Sequence, residues 1–153
     1  MPKTEAVILT NMCMVTDGTK VLVQNRKDPD WPGLVYPGGG GEIEPNEPFV
    51  SSAIREVFEE TGLTVSDLQL CGIKQFTHSE ELYRYIVFLY RTSTFSGDLC
   101  SSDEGEVFWM ERSKLVAADL AAGFAEMLPI FEDEKLSELY FYHDQDDWHY
   151  RHL

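Results

Sequence analysis

The glycine run at residues 38–41, directly after Pro37, limits the fold of this chain more than any other stretch. Four consecutive glycines disfavour both helix and strand, because glycine loses more conformational freedom on ordering than any other residue. The run is therefore predicted to be irregular backbone between regular elements. Glycine also lets the main chain approach a ligand closely, and its carbonyl oxygen suits a hard cation.

A helix with one acidic face is predicted directly downstream, at residues 48–61. Proline is favoured in a first helical turn, and Gly62 follows the last turn. At about 100° per residue, Glu56, Glu59 and Glu60 lie on one face and the apolar side chains lie opposite. Three neighbouring carboxylates repel one another, so this face is either simply solvated or a site for a divalent cation.

The loop and the helix together have a recognisable spacing. It consists of Gly41, five residues, Glu47, seven residues, Arg55-Glu56-Val57, one residue, Glu59-Glu60, one residue and Gly62-Leu63. With average residue frequencies, a chance match in a chain of this size is on the order of one in ten million. This spacing, at residues 41–63, is the Nudix box, and the chain is identified by its resemblance as a Nudix hydrolase.

The resemblance implies a fold, a reaction and a cofactor. Nudix proteins have an α/β/α sandwich around a mixed β-sheet, and residues 1–153 are expected to form a single domain of this kind. The family cleaves the diphosphate linkage of nucleoside diphosphate derivatives. Mg²⁺ is the expected cofactor, with Mn²⁺ as the alternative, because water must attack a phosphorus that already carries negative oxygens.

The resemblance also assigns roles within the box. The expected metal ligands are Gly40, Glu56, Glu59 and Glu60, and the expected structural residues are Gly41, Glu47, Arg55 and Gly62. Glu47 and Arg55 should form an ion pair that braces the loop against the helix. Glu56 and Glu59 should serve catalysis as well as metal binding.

A general base is expected to complete the site. Family members use either a glutamate of the box or an acidic residue on a later loop. Residues 101–106 form such an acidic segment here, with Glu104 as the first candidate and Glu106 as the second. The structural alternative is an ordinary acidic turn.

Outside the box, the chain resembles MutT-like 8-oxo-dGTP diphosphatases of the MutX type. The segments that carry this resemblance are 8–13, 72–74, 84–87 and 95–109. Such an enzyme releases a monophosphate and pyrophosphate, and so removes oxidised nucleotides before they enter DNA. Base recognition needs a stacking surface and a polar group matched to the base edge. The candidates are Asn11 as the amide, Tyr36, Phe76 and Trp31 as stacking residues, and Asp103 and Asp119 as acids, with packing roles as the alternative.

Two other functions are compatible with the box. One is a Nudix hydrolase of ADP-ribose, of another nucleoside diphosphate derivative or of capped RNA. The other is a domain without catalytic activity that binds a nucleotide as a sensor. Such domains usually lose carboxylates of the box, whereas all of them are present here.

Composition limits the partners. The net charge is −15 at pH 7, which argues against a nucleic-acid polymer or an anionic membrane surface as a partner. The three scattered cysteines suggest reduced thiols, and residues 1–5 lack the features of a signal peptide, so a cytoplasmic enzyme is expected. A monomer and a homodimer are both open, and residues 140–153 are expected to be a flexible tail or an interface.

The remaining elements are predicted from apolar runs and turn residues. Strands are expected at 6–15, 21–23, 34–36, 68–76, 83–92 and 106–110, with a loop at 24–32 and a turn at 95–98. A second helix is expected at 114–127, ending near Pro129 or continuing over 130–139.

Overall fold

A mixed β-sheet organises the protein in the computed structural model, which describes residues 1–39, 41–77 and 82–153. The strands are β1 (Val7–Asp17), β2 (Lys20–Arg26), β3 (Gly33–Val35), β4 (Thr64–Ser66), β5 (Gln69–Thr77), β6 (Arg84–Thr92), β7 (Thr94–Ser96), β8 (Gly105–Glu111), β9 (Glu138–Asp144) and β10 (Asp147–His152). The helices are α1 (Phe49–Thr61) and α2 (Phe124–Glu132), with a 3₁₀ helix at Arg112–Ala117.

The main sheet runs in the order β10-β9-β5-β6-β1-β2-β3, and β8 also pairs with β2. The pairs β1–β6 and β5–β9 are parallel, whereas the other pairs of this sheet are antiparallel. Strands β4 and β7 form a separate antiparallel pair. The long strands β1, β5 and β6 are neighbours, so their alternating side chains define two extended faces.

Each face of the sheet carries its own apolar core and its own helix. On one face, Ala53 and Val57 of α1 pack with Cys13 and Val15 of β1. On the other face, buried residues of α2 pack with Met12 and Met14 of β1; these α2 residues are Phe124, Met127, Leu128, Ile130 and Phe131. The expected α/β/α sandwich around a mixed sheet is confirmed.

The predicted helix at 114–127 is wrong. The chain forms the short 3₁₀ helix at Arg112–Ala117, breaks over 118–123, and begins α2 only at Phe124. Gly123 has a left-handed φ of 81°, which interrupts any continuous helix at that point. Helix α2 then passes Pro129 and ends at Glu132, because Ile130 and Phe131 are both buried in the core.

Of the two alternatives for residues 140–153, the flexible tail is wrong and the interface stays a prediction. Strands β9 and β10 form an antiparallel hairpin, and β9 extends the sheet by pairing with β5. Gln145 has a left-handed φ of 57° in the two-residue turn between the strands. The hairpin lacks a clear apolar alternation because aromatic pairs join its strands, such as Tyr142 with His149.

Within the described ranges, every helix is too short or too polar to cross a bilayer.

The hairpin is expected to contribute to stability through Leu139, which is completely buried on β9. Leu139→Ala should lower the free energy of unfolding by about 2–5 kcal/mol, the usual cost of a cavity in a core. Leu153→Ala is the matched control, because that side chain is 44% exposed, and it should change stability by less than about 0.5 kcal/mol. Urea unfolding of both variants would test this, and equal small effects would contradict an anchored hairpin.

Candidate functional site

A two-pronged ion pair joins the loop before α1 to the helix itself. Arg55 donates from Nε to Glu47 Oε2 at 2.8 Å and from Nη2 to Glu47 Oε1 at 3.0 Å. The hydrogen bonds from Arg55 lower the pKa of Glu47 to about 2. The ion pair that the resemblance implied is present, and its two parallel hydrogen bonds fix the loop relative to the helix.

The same guanidinium also reaches the acidic face of α1. Arg55 Nη1 lies 3.1 Å from Glu56 Oε1 and 3.4 Å from both carboxylate oxygens of Glu59. A single cation therefore contacts three glutamates of the box. It compensates part of the repulsion that the sequence pattern predicted for this face.

Two glycines of the box stand where a side chain would collide. A Cβ at Gly41 would overlap the carboxylate of Glu56, so the main chain of the loop lies directly against that group. Gly62 has a left-handed φ of 77° at the C-terminal end of α1, and a Cβ there would press on the carbonyl oxygen of Asp98. Position 62 therefore requires glycine, whereas a side chain at position 41 would displace the carboxylate of Glu56.

Glu60 connects α1 to the glycine run and to the loop before β8. Its Oε2 accepts a hydrogen bond from the backbone N–H of Gly38, and its side chain is almost completely buried. Burial and then the neighbouring carboxyl of Glu104 raise the pKa of Glu60 well above its usual range. The structure thus brings Glu104, the first candidate for the base, next to the box.

Glu56 is the second buried carboxylate of this cluster. Burial is the main cause that raises its pKa, and the nearby charge of Arg55 acts in the opposite direction. Glu59 and Glu104 add further negative charge nearby. Glu59 is the most accessible of the three helix glutamates, with a side chain 54% exposed.

The chemistry of these residues fits a divalent cation. Across the described ranges, no group of three or more His, Cys, Asp or Glu side chains is gathered closely enough to enclose a metal ion. However, Glu60 Oε1 is buried without a hydrogen-bond partner in the described part of the chain. An unpartnered carboxylate oxygen beside other carboxylates is a favourable donor for Mg²⁺ or Mn²⁺, because the cation removes the repulsion. Gly40, the fourth expected ligand, lies outside the described residues.

A cleft of about 640 Å³ opens beside this cluster, on the face of the sheet that α2 also covers. Strand register places its floor residues in two rows across β5, β6 and β1. One row is Lys74, Val87 and Thr10, and the next is Phe76, Tyr85 and Ile8. Further lining residues are Met12, Asp30, Trp31, Gly39, Glu42, Met127 and Trp148.

Aromatic rings give the cleft flat apolar surfaces. Phe76 and Tyr85 are stacked with centroids 4.8 Å apart and planes only 10° from parallel. The indole N–H of Trp31 donates to the carbonyl oxygen of Ala122 at 2.8 Å, which holds this ring at the edge of the cleft. Such a combination of aromatic walls and few polar groups suits a planar ligand.

Arg26 holds the loop that carries Trp31. Its Nε donates to the carbonyl oxygen of Trp31 at 3.0 Å, and its Nη1 donates to that of Gly39 at 2.7 Å. The guanidinium also lies 4.8 Å from the centre of the indole ring. One side chain therefore links an aromatic wall of the cleft to the glycine run.

Two of the residues predicted to bind the base lie elsewhere. Asn11 is completely buried and donates to Ser52 Oγ of α1 at 2.9 Å, on the face opposite to the cleft. Tyr36 is also completely buried, between the rings of Phe124 and Phe131. Neither side chain can reach a base in the cleft, so both predictions are wrong. Phe76 and Trp31 do line it.

The acidic candidates are dispersed. Asp103 lines a separate depression with Glu104, whereas Glu106 lies on β8 opposite Asn25. The backbone carbonyl oxygen of Asp119 accepts a hydrogen bond from the N–H of Leu34.

Sequence reasoning missed most of the cleft floor. Ile8, Thr10, Lys74, Tyr85 and Val87 all lie in segments that were predicted as strands. Their alternation with buried neighbours indicates that they share faces, but only the pairing of β1, β5 and β6 shows that these faces meet. Trp148 had no detectable signal, because the tail was not expected to form strands.

The fold and the site together define a hydrolase built on a glycine loop and an acidic helix. Residues 8–131 match the family model described as NUDIX domain, so the chain belongs to the Nudix family. It is an enzyme of the class that acts on nucleoside phosphates.

Individual relatives agree with this assignment. A protein of the zebrafish Danio rerio named oxidized purine nucleoside triphosphate hydrolase is 27% identical over 133 residues, covering 87% of this chain and 85% of that protein. The NAD-capped RNA hydrolase NudC of Mycobacterium tuberculosis is 32% identical over 114 residues, but these cover only 35% of its length. A crystal structure of a MutT protein from Bacillus halodurans matches 95% of this chain and 97% of its own, with a TM-score of 0.78 at 24% identity. This last likeness concerns the fold.

The ion pair between Arg55 and Glu47 should make stability depend on pH. The pKa of Glu47 in the folded protein, about 2, lies below its ordinary value of 4.5. The stabilisation is therefore fully present above pH 4.5 and is lost as the pH falls through about 2. Glu47→Gln should lower the melting temperature at pH 7, and the difference from the wild type should shrink below pH 4.5.

Thermal unfolding followed by circular dichroism from pH 2 to pH 7 would test this. Glu44→Gln is the control, because it removes an exposed carboxylate from the same loop and keeps the backbone N–H of residue 44 that donates to Glu47. A deficit of Glu47→Gln that stays constant with pH would contradict the electrostatic account.

Proposed function

We propose that this protein is a Mg²⁺-dependent hydrolase of nucleoside triphosphates, with oxidised purine deoxynucleotides such as 8-oxo-dGTP as preferred substrates. The products are the monophosphate and pyrophosphate. Removal of oxidised nucleotides from the cytoplasmic pool would protect DNA from their incorporation.

The position of the aromatic cleft next to the glycine run carries this proposal. Gly39 and Glu42, on either side of the centre of the loop, line the cleft. Gly38 in the same run donates to Glu60 of the acidic cluster. A nucleotide with its base on Phe76 and Tyr85 would have its phosphates directed towards the box glutamates.

The relative from Danio rerio supports the choice of substrate. Its name specifies oxidised purine nucleoside triphosphates, and the match extends over most of both chains. The aromatic cleft agrees with a purine, since a larger base gains more from stacking between flat rings.

The box residues would hold the metal. Glu56, Glu59 and Glu60 are the proposed ligands, together with the carbonyl oxygen of Gly40. When bound, the cation neutralises phosphate charge and lowers the pKa of water. The chain would supply the remaining functions: Arg55 and Glu47 keep the carboxylates in place, and the cleft orients the base.

Glu104 is the proposed general base. Its carboxyl lies beside Glu60, on a loop whose backbone is tied to β2 through the bond from Lys27 N–H to the Glu104 carbonyl oxygen. A carboxylate there can take the proton of the attacking water at its own oxygen. Glu106, on the strand opposite Asn25, is the less suitable candidate.

A second candidate function is hydrolysis of ADP-ribose or another nucleoside diphosphate derivative. It is favoured by the cleft's apolar lining, which does not by itself select one base, and by the partial match to NudC. The net charge of −15 argues against a long RNA. A sensor without activity is the third possibility, and it is disfavoured because all the box carboxylates are present.

Glu59→Gln should lower kcat by at least about 100-fold, as the loss of a group that stabilises transition-state charge does. The change keeps the size of an exposed side chain, so the fold should remain intact. Glu134→Gln is the control and should keep full activity, because that side chain is 85% exposed and lies 3.9 Å from Arg91, outside the box. Steady-state rates with Mg²⁺ would be compared, and an undiminished rate for Glu59→Gln would rule out the metal assignment.

The substrate is tested by a panel of 8-oxo-dGTP, the ordinary deoxynucleotides, ADP-ribose and a diadenosine polyphosphate. Ion-exchange chromatography would separate the products, and kcat/KM would rank the substrates. We expect 8-oxo-dGTP to rank first and to yield monophosphate and pyrophosphate. A higher kcat/KM for ADP-ribose would favour the second function, and binding without turnover would favour a sensor.

A further inference from the structure

Lys74 stands out in the floor of the cleft because a charged group is surrounded there by aromatic rings. Its Nζ lies 4.9 Å from the ring centre of Phe141, 5.3 Å from that of Phe76 and 5.9 Å from that of Trp31. These rings come from the hairpin, from β5 and from the loop before β3. Three separate parts of the chain therefore converge on one ammonium group.

The rings compensate only part of the cost of removing this half-buried charge from water. A cation–π contact contributes less than the hydrogen bonds an ammonium makes in water. Among the described residues, no oxygen accepts a hydrogen bond from Nζ. Burial lowers the pKa of Lys74 to about 8, although the charge of Glu126 acts in the opposite direction. The group thus has unused donors that face the cleft.

We propose that Lys74 determines base specificity by donating to a carbonyl oxygen on the edge of the nucleobase, which favours 6-oxo purines over 6-amino purines. The inference rests on the proposed function for the idea that a nucleotide enters this cleft. It adds a residue and a chemical criterion that the Nudix box does not contain.

The preference for 6-oxo purines follows from the hydrogen-bonding groups of lysine. An ammonium has three donors and no acceptor, so it can pair with a carbonyl oxygen but not with an amino group. At position 6, a 6-amino purine would place donor against donor and leave the half-buried ammonium without the acceptor that a 6-oxo purine offers there, which a binding site penalises. The carboxylates around the cleft, Asp30, Glu42 and Glu126, cannot donate when ionised and so do not replace Lys74 in this role.

Strand register gives Lys74 the right position for this task. Lys74 and Phe76 are two residues apart on β5, so they point to the same face, and Phe76 stacks on Tyr85 of β6. A base lying on these rings would have one edge next to the Lys74 row. The stacking surface and the proposed hydrogen-bond donor to the base edge are therefore neighbours in the sheet.

The test measures binding of inosine and adenosine, which differ at position 6 and carry no phosphate. Neither metal nor turnover is needed, so the test does not depend on hydrolysis. Indole N–H signals in ¹⁵N–¹H spectra report on the cleft, because Trp31 and Trp148 line it. Trp109 packs against Phe95 elsewhere and serves as the internal reference.

In the wild type we expect the Trp31 and Trp148 signals to shift on binding. The Kd for adenosine should be at least about tenfold above that for inosine, because adenosine loses a hydrogen bond to a charged group. Lys74→Met keeps the length of the side chain and should bring the two Kd values within about twofold. Lys74→Arg keeps a cationic donor and should restore the preference. Lys114→Met, at an exposed lysine outside the cleft, should behave as the wild type.

Equal Kd values in the wild type would overturn the proposal, whether or not the variants fold. So would a preference that survives in Lys74→Met, or signals of Trp31 and Trp148 that do not shift. A parallel assay of inosine and adenosine triphosphates with Mg²⁺ separates the two proposals. A Lys74-dependent preference in binding without hydrolysis would overturn the proposed function alone, whereas hydrolysis without a preference would overturn the role of Lys74 alone.

Discussion

The buried carboxylates of Glu56 and Glu60 are the constraint on which the site depends. Two acidic groups within the same protein interior repel each other, and burial raises the pKa of both. Arg55 reaches across to Glu56, and the backbone of Gly38 donates to Glu60. These contacts hold charges together that would otherwise separate, and they leave a buried carboxylate oxygen of Glu60 open to a cation.

The sheet places the candidate substrate cleft next to this cluster of carboxylates. Helix α1 covers one face, while the cleft lies on the face shared with α2. Gly38 donates to Glu60 of the helix, and Gly39 and Glu42 of the same loop line the cleft. The bridge between Thr10 and Glu42 attaches that loop to β1, which supplies part of the cleft floor. Under the proposed function, a base on one face would extend its phosphates towards carboxylates that belong to a helix on the other.

The box and its helix could be predicted because their signals are local. A glycine run, a proline in the first helical turn and carboxylates three and four residues apart each depend on neighbouring residues alone. The prediction of a helix at 114–127 failed although the segment is rich in alanine. Gly123 has a left-handed φ that interrupts the helix, and the burial of Ile130 favours a helix that begins and ends later. The base-binding predictions for Asn11 and Tyr36 failed because the direction of a side chain on or next to a strand depends on how that strand is packed.

The sequence by itself determined the Nudix box and the identity of its carboxylates, because these depend on spacing along one loop and one helix. The resemblance to the family implied the pairing of Arg55 with Glu47. Only the tertiary structure decided which residues form the cleft. Lys74, Tyr85 and Trp148 are far apart along the chain, and they meet because β6 pairs with β5 and the C-terminal hairpin joins the edge of the same sheet. Pairing between distant strands is set by the burial of whole faces, which no short segment of sequence contains.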